Sequence, residues 1–280
     1  MFENIYGLSC VENQVLAQIK SSETDISVLY GTSFIGVKEL LLSMLSEGIK
    51  PEYFSLIPRI HDTLKQLGVI SLELVHEDDI NKVIENINLP EHKLLVKVKS
   101  DFVKNRLFAR GLRSDHYILI EKENDCFKLT NDIPETIIVL NKKELEEVYD
   151  SSCFILKILR DLTDTDKQHF EIRPEYINDN ISFEITEENL ESILDPGIKI
   201  RNFFWIYKTL LYRQTEFLSA VSEPAAIEEK RDAISNLFAQ AEYLNLKKYA
   251  DCSKYFMLLS EAFKIEDYIK TLAIKFGDKI

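Results

Sequence analysis

The sequence predicts an α+β protein whose C-terminal part is mostly helical, because the period of its apolar residues changes along the chain. Residues 116–140 contain apolar runs typical of strands, and the turn dipeptide Asn124–Asp125 separates the first two runs. From residue 186 onward, apolar residues recur almost throughout at the spacing of an amphipathic helix. We therefore expect a sheet in the first half of the chain and helix packing in the second.

A polar stretch between these two parts, residues 161–170, is typical of a linker or loop. It predicts two domains, residues 1–160 and residues 161–280. The C-terminal helices are rich in aromatic residues, which we interpret mainly as a helix–helix core. A cover over a cleft is the alternative interpretation. These aromatic residues are Phe203, Phe204, Trp205, Tyr207 and Tyr212.

Helices and strands are expected to be mixed in the first domain. Ser9 is a good N-cap for a first helix, and Asn141 with Glu144 forms the sequence pattern of a capping box. The predicted helices are residues 10–21, 37–48, 58–67, 78–88 and 141–152, and the predicted strands are residues 69–75, 93–100, 116–123, 126–131, 135–140 and 154–159.

Composition excludes several classes of function. The chain has 280 residues, 45% of them apolar and 29% charged, with a formal net charge of −13. This balance is typical of a soluble globular protein, and the negative charge disfavours nucleic acid or an anionic membrane as a partner. The four cysteines form no CxxC pair, so neither a disulfide scaffold nor a zinc site is predicted. We expect a cytoplasmic protein with no bound cofactor or metal.

One cysteine has the sequence context of a nucleophile. Cys10 lies in the first turn of the first predicted helix, where free backbone N–H groups and the helix dipole favour the thiolate. The same N–H groups can donate to the oxyanion that forms when a thiolate attacks a carbonyl group. A small buried apolar side chain is the alternative interpretation of Cys10.

The predicted hairpin supplies a base and a residue to orient it. His116 opens the first strand of the hairpin, and Asn131 and Asp132 close the second. Hairpin geometry brings these ends together, so either Asn131 or Asp132 can accept the imidazole N–H and hold His116 in the tautomer that deprotonates Cys10. Strand alternation allows only one of the two neighbours to face His116.

The order of these features resembles the papain-like, peptidase-C39-related acyltransferases of nonribosomal biosynthesis, of which the butirosin acyltransferase is typical. The resemblance is carried by the runs SCVENQVLAQI, INKVIENINLPEHKLLVKVKSDF, SDHYILIEKENDCFKLTND and LNKKELEEVY. It covers about residues 1–158 and implies a papain-like catalytic domain. It also implies Cys10 as nucleophile, His116 as base and Asp132 as the orienting acid, with Asn131 as the alternative.

The resemblance further implies transfer of an acyl group from a thioester on the phosphopantetheine arm of a carrier protein, through an acyl-Cys10 enzyme, to an amine such as a diamine. Papain-like peptidases have a glutamine before the nucleophile as oxyanion donor, whereas the amide in this region is Asn4, with Gln14 as another candidate. This departure favours amide formation over peptide cleavage. A cysteine peptidase and a catalytically inactive scaffold that binds a carrier protein are the alternatives.

A basic segment precedes His116. Residues 97–113 contain six basic residues and one acidic residue within an acidic chain. Because carrier proteins are usually acidic, this segment is a candidate docking surface, and a solvated loop is the alternative. The basic residues are Lys97, Lys99, Lys104, Arg106, Arg110 and Arg113.

Overall fold

The computed structural model describes residues 7–20, 25–47, 57–107, 115–132, 135–178, 186, 190, 195–248 and 252–277. Within these ranges the structure is a mixture of helices and an antiparallel sheet, followed by long C-terminal helices, which confirms the predicted α+β class. The helices are α1 (Cys10–Ile19), α2 (Val37–Glu47), α3 (Ile60–Gln66), α4 (Ile80–Ile87), α5 (Ser100–Arg106), α6 (Lys142–Val148), α7 (Asp164–Lys167), α8 (Pro174–Ile177), α9 (Pro196–Phe217), α10 (Pro224–Leu246) and α11 (Cys252–Gly277). The strands are β1 (Ile70–His76), β2 (Lys93–Val98), β3 (His116–Glu123), β4 (Cys126–Asn131), β5 (Thr136–Leu140) and β6 (Tyr149–Ile158).

The six strands form one sheet in the order β1-β6-β2-β3-β4-β5, and every pair is antiparallel. One face packs against α4, α5 and α6 through a large cluster of buried residues that includes Val83, Val103 and Leu145. The opposite face carries a smaller cluster of Leu95, Tyr117 and Leu119, against which Cys10 and Val11 of α1 pack. The two clusters place α1 on one side of the sheet and helices α4–α6 on the other.

The capping box predicted at Asn141 and Glu144 is present, but the helix that follows it is shorter than predicted. Helix α6 ends at Val148, whereas the sequence predicts helix to residue 152. Tyr149 to Ser152 belong instead to β6, which pairs with both β1 and β2 and so begins five residues earlier than predicted. The backbone of Ser151 has a positive φ of 53°, which a helix does not allow. Two-sided strand pairing therefore overrides the helical period at these residues.

By spatial proximity, the chain divides into two compact units. The first comprises Met1–Ile26 and Arg59–Asp166, and the second comprises Ser27–Pro58 and Lys167–Ile280. Residues 27–58, which the sequence places in the first domain, thus group with the C-terminal helices. Two buried hydrogen bonds show this: the Gln214 side chain donates to the Ser33 carbonyl, and the Val37 N–H donates to Glu266.

The long helices of the second unit contain the predicted aromatic core. Phe203, Phe204 and Tyr207 are fully buried in α9, and their rings contact one another. Among the described residues, no single helix combines the length and the hydropathy of a membrane-spanning segment. The pair Ile26–Ser33 and Val37–Leu45 meets these criteria only when the two elements, bent by 63°, are counted together.

The entry to α1 is held by a buried carboxylate. Glu12 is 1% exposed, and its two oxygens accept the backbone N–H groups of Leu8 at 2.6 Å and Ile60 at 3.0 Å. These bonds fasten the loop before Cys10 to the first turn of α3. The Ser9 hydroxyl accepts the N–H of Glu12, which confirms Ser9 as the N-cap.

We expect Glu12→Ala to lower the free energy of unfolding by about 3 kcal/mol, because two buried backbone N–H groups lose their acceptor. Glu12→Gln retains one acceptor oxygen and should be less destabilising. Urea unfolding followed by circular dichroism measures both changes. Glu85→Ala, at an exposed glutamate of α4, is the matched control and should change stability by less than about 0.5 kcal/mol. Equal stability of Glu12→Ala and Glu85→Ala would contradict the role given to Glu12.

Candidate active site

The sulfur of Cys10 lies at the junction of α1 and β3. Cys10 is the first residue of α1, and its Sγ accepts the backbone N–H of Tyr117 at 3.4 Å. The sulfur is therefore beside the peptide group that joins His116 to Tyr117. All three residues belong to the first unit of the chain. The structure thus brings the predicted nucleophile to the start of the strand that carries the predicted base.

The surroundings of Cys10 keep its thiol protonated. The residue as a whole is partly exposed, but its side chain packs against the apolar cluster of Leu95, Tyr117 and Leu119. Burial and, after it, the negative charge of Asp132 raise the pKa of the Cys10 thiol to about 12. The backbone N–H of Tyr117 acts in the opposite direction but is outweighed. A helix N-terminus therefore does not produce a standing thiolate here, and Cys10 needs a base to become a nucleophile.

His116 is hydrogen-bonded to Asn131. The His116 Nε2 atom lies 2.6 Å from Asn131 Oδ1, and both side chains are buried. Because an amide oxygen only accepts hydrogen bonds, this orientation of Asn131 makes Nε2 the protonated ring nitrogen. Nδ1 then holds the lone pair that a general base requires. The bond that the resemblance assigns to Asp132 is made by Asn131, the alternative left open by the sequence.

Strand alternation explains why Asn131 and not Asp132 meets the imidazole. In the β3–β4 hairpin, Leu119 lies opposite Thr130, and the same register places Ile118 opposite Asn131. His116 and Ile118 are two residues apart, so His116 projects to the same face as Asn131. Asp132, the next residue, bonds instead to Asn13 of α1. The two-residue turn at Asn124–Asp125 sets this register, so the sequence contained the signal that selects Asn131.

Asp132 takes part in a buried bridge to α1. Its Oδ2 accepts a hydrogen bond from Asn13 Nδ2 at 3.0 Å, and Asn13 Oδ1 accepts the N–H of Gly7 at 3.1 Å. Asn13 is 2% exposed and lies one turn after Cys10. An added Cβ at Gly7 would come within 3 Å of the Asn13 backbone, so this close approach requires glycine. Sequence reasoning did not identify Asn13.

Of the two side-chain amides predicted as oxyanion donors, Gln14 and Asn4, the structure describes only Gln14. Gln14 is fully buried, and its Nε2 donates to the carbonyl oxygen of Thr130 at 2.9 Å. This bond joins α1 to β4 and already engages the Gln14 amide nitrogen as a donor. Asn4 lies outside the described residues. The backbone N–H groups of Cys10 and Val11, at the start of α1, interact with the Cys10 sulfur, as the N–H of Tyr117 does, and are candidate donors to an oxyanion.

The basic segment is partly neutralised by ion pairs. Lys97 Nζ lies 3.1 Å from Asp115 and 3.2 Å from Asp150, and these contacts raise the pKa of its ammonium group. Lys104 pairs with Asp101 at 3.7 Å on an exposed surface. In the same segment, Lys99 donates to the Glu147 carbonyl, Arg106 ends α5, and Arg110 and Arg113 lie outside the described residues.

The chain is only weakly similar to a known structure. No protein-family model matches the chain, and no curated protein matches it. Among solved structures, the peptidase domain of Streptococcus mutans ComA, in complex with a small-molecule inhibitor, has 14% sequence identity and a TM-score of 0.26. The alignment covers 44% of this chain and 93% of that domain. A TM-score of this size does not establish a shared fold, so we base the proposed function on the chain's own geometry.

The charge of Asp132 should be measurable at the sulfur. We expect Asp132→Asn to lower the pKa of Cys10, because a negative charge near a thiol disfavours the thiolate. Asparagine keeps an acceptor for the Asn13 side chain, so the bridge is preserved. Alkylation of Cys10 by iodoacetamide at pH 8, followed by peptide mass mapping, should be roughly threefold faster or more.

The control for this experiment is Asp101→Asn, whose side chain is 85% exposed in α5, and it should leave the alkylation rate unchanged. The wild-type rate should still be rising at pH 10, as expected for a thiol with a pKa of about 12. An Asp132→Asn protein that reacts no faster than wild type would show that the carboxylate does not act on the sulfur.

Proposed function

We propose that this chain is a cysteine-dependent acyltransferase with a papain-like catalytic domain. It forms an amide from a carrier-bound thioester and an amine. The observation that supports this most strongly is the meeting of Cys10, at the start of α1, with the strand that begins at His116, whose imidazole bonds to Asn131. The proposed nucleophile, base and orienting residue come from α1, β3 and β4, and we assign them the roles of a catalytic triad.

In the first step, His116 Nδ1 removes the thiol proton of Cys10 as the sulfur attacks the thioester carbonyl. The tetrahedral oxyanion accepts hydrogen bonds from backbone N–H groups at the start of α1. The carbon–sulfur bond of the donor then breaks, and its sulfur takes the proton from the imidazolium. The products are an acyl-Cys10 thioester and a free donor thiol.

In the second step, an amine attacks the acyl-Cys10 carbonyl and His116 accepts its proton. The bond between the acyl carbon and Cys10 Sγ breaks, the amide leaves, and the sulfur regains a proton from His116. A thioester is a suitable acyl donor for a cysteine that starts as a protonated thiol. The thiol leaving group of a thioester departs more readily than the amine of a peptide bond. This reactivity supports the acyltransferase over a cysteine peptidase built on the same residues.

An acidic carrier protein is the proposed donor, with the phosphopantetheine arm holding the acyl group. The ion pairs of Lys97 leave Lys104 and Arg106 as the described positions of the basic segment best suited to dock it, since an exposed pair such as Lys104–Asp101 is weak. The overall negative charge of the chain would attract a cationic amine acceptor.

Incubation with an acyl N-acetylcysteamine thioester should add one acyl mass to the wild-type protein, as measured by intact-protein mass spectrometry. Cys10→Ala should show no adduct, whereas Cys126→Ala, at another partly exposed cysteine, should be acylated normally. Addition of an amine should discharge the adduct as an amide. Cleavage of peptides without acylation would favour the peptidase. A protein that neither becomes acylated at Cys10 nor cleaves peptides would favour an inactive scaffold.

The orienting role of Asn131 can be separated from that of Asp132. We expect Asn131→Ala to slow acylation of Cys10 roughly tenfold or more, because the imidazole loses the acceptor that sets its tautomer, and His116→Ala to slow it by about a hundredfold. Asp132→Asn should retain acylation, since Asn131 still holds the ring. Single-turnover acylation rates measure all three variants. If Asp132→Asn slowed acylation and Asn131→Ala did not, Asp132 and not Asn131 would be the residue that orients His116.

A further inference from the structure

An apolar strip begins at the sulfur of Cys10 and runs across the sheet. Cys10 and Val11 pack against Leu95, Tyr117 and Leu119 on the face of the sheet that carries α1. Phe154 of β6 belongs to the same cluster. The nucleophile is therefore one end of a continuous apolar surface, not an isolated thiol in a polar cleft.

The strip continues from β3 to the edge strand β1. The rings of Tyr117 and Phe154 meet edge to face, with centroids 4.7 Å apart, and Phe154 lies directly opposite Leu74 in the pairing of β6 with β1. Exposure rises along this path: Tyr117 is 8% exposed, Phe154 is partly buried, and Leu74 is 43% exposed. The inner end of the strip is thus closed and its outer end is open.

The described charges at the border of the strip are one lysine and two aspartates, which leave a net negative charge. The Tyr117 hydroxyl lies 3.4 Å from the Ser152 hydroxyl, so the polar end of this ring is engaged at the rim. Lys97, which neighbours Tyr117 across the β2–β3 pairing, is held between Asp115 and Asp150. An anionic group laid along Tyr117 and Phe154 would lose water there, and the lysine that could pair with it is already engaged by two aspartates.

We propose that this strip, from Cys10 over Tyr117 and Phe154 to Leu74, binds the hydrocarbon chain of the acyl group that Cys10 carries. The occupant is an uncharged aliphatic or aromatic acyl chain, and this inference rests on the proposed function. Three strand spacings separate β3 from β1, or about 14 Å, which leaves room for a chain of roughly eight to ten carbons. The outer end of the strip, at Leu74, is exposed, as a surface that binds a partner must be.

A second exposed apolar pair on the same face is not continuous with the strip. Ile137 and Val139 of β5 are 55% and 54% exposed, and they lie opposite Thr130 and Lys128 of β4. These polar residues stand between β5 and the cluster around Cys10. Ile137 therefore provides a matched control: an exposed β-strand residue on the same face, 55% exposed against 43% for Leu74, that should not touch the acyl chain.

The test compares Cys10 acylation by acetyl and octanoyl N-acetylcysteamine thioesters. We expect wild type to react at least roughly tenfold faster with the octanoyl donor, because the longer chain is removed from water on the strip. A thioester of the same length that ends in a carboxylate should lose this advantage. Leu74→Asn should lower the octanoyl rate severalfold and leave the acetyl rate unchanged, whereas Ile137→Asn should change neither.

A second readout does not depend on acyl transfer. Alkylation of Cys10 by N-octyl iodoacetamide and by iodoacetamide, measured by peptide mapping, should show the same preference for the octyl chain and the same loss in Leu74→Asn. Faster alkylation by the octyl reagent without any acylation would support the apolar binding strip and contradict the proposed acyltransferase activity. No chain-length preference in alkylation, or equal losses in Leu74→Asn and Ile137→Asn, would overturn the strip.

Discussion

The candidate site depends on two buried hydrogen bonds that fasten α1 to the end of β4. Asn13 donates to Asp132, and Gln14 donates to the Thr130 carbonyl. The residue between these two acceptors is Asn131, which bonds to His116. One short segment of β4 thus holds both the helix that carries Cys10 and the ring that would deprotonate it. Because all these groups are buried, loss of either bond would leave polar atoms without water to replace it.

This arrangement explains why the sulfur is a protonated thiol. The carboxylate that secures α1 also lies near enough to Cys10 to disfavour its thiolate, and burial against Tyr117 adds to the effect. A helix N-terminus by itself would favour the opposite state. In the proposed mechanism, His116 would therefore take the thiol proton during attack on the thioester, because a permanent thiolate is disfavoured.

The same apolar packing would link the reactivity of Cys10 to the proposed choice of acyl chain. The backbone N–H of Tyr117 donates a hydrogen bond to the Cys10 sulfur, and the Tyr117 ring contacts the ring of Phe154. Residues that exclude water from Cys10 are thus also those that an acyl chain would cover. Exclusion of water matters for an amide-forming enzyme, because water competes with the amine for the acyl intermediate.

By itself, the sequence determined the features that depend on neighbouring residues. These include the Ser9 cap, the capping box at Asn141 and the hairpin, whose two-residue turn already implies that Asn131 shares a face with His116. Only the tertiary structure decided the insertion of β6 between β1 and β2, the grouping of residues 27–58 with the C-terminal helices, and the bridge from Asn13 to Asp132. Caps and turns are set by local backbone geometry. Strand insertion, buried bridges and the pKa of Cys10 depend on residues distant in sequence, which no local pattern encodes.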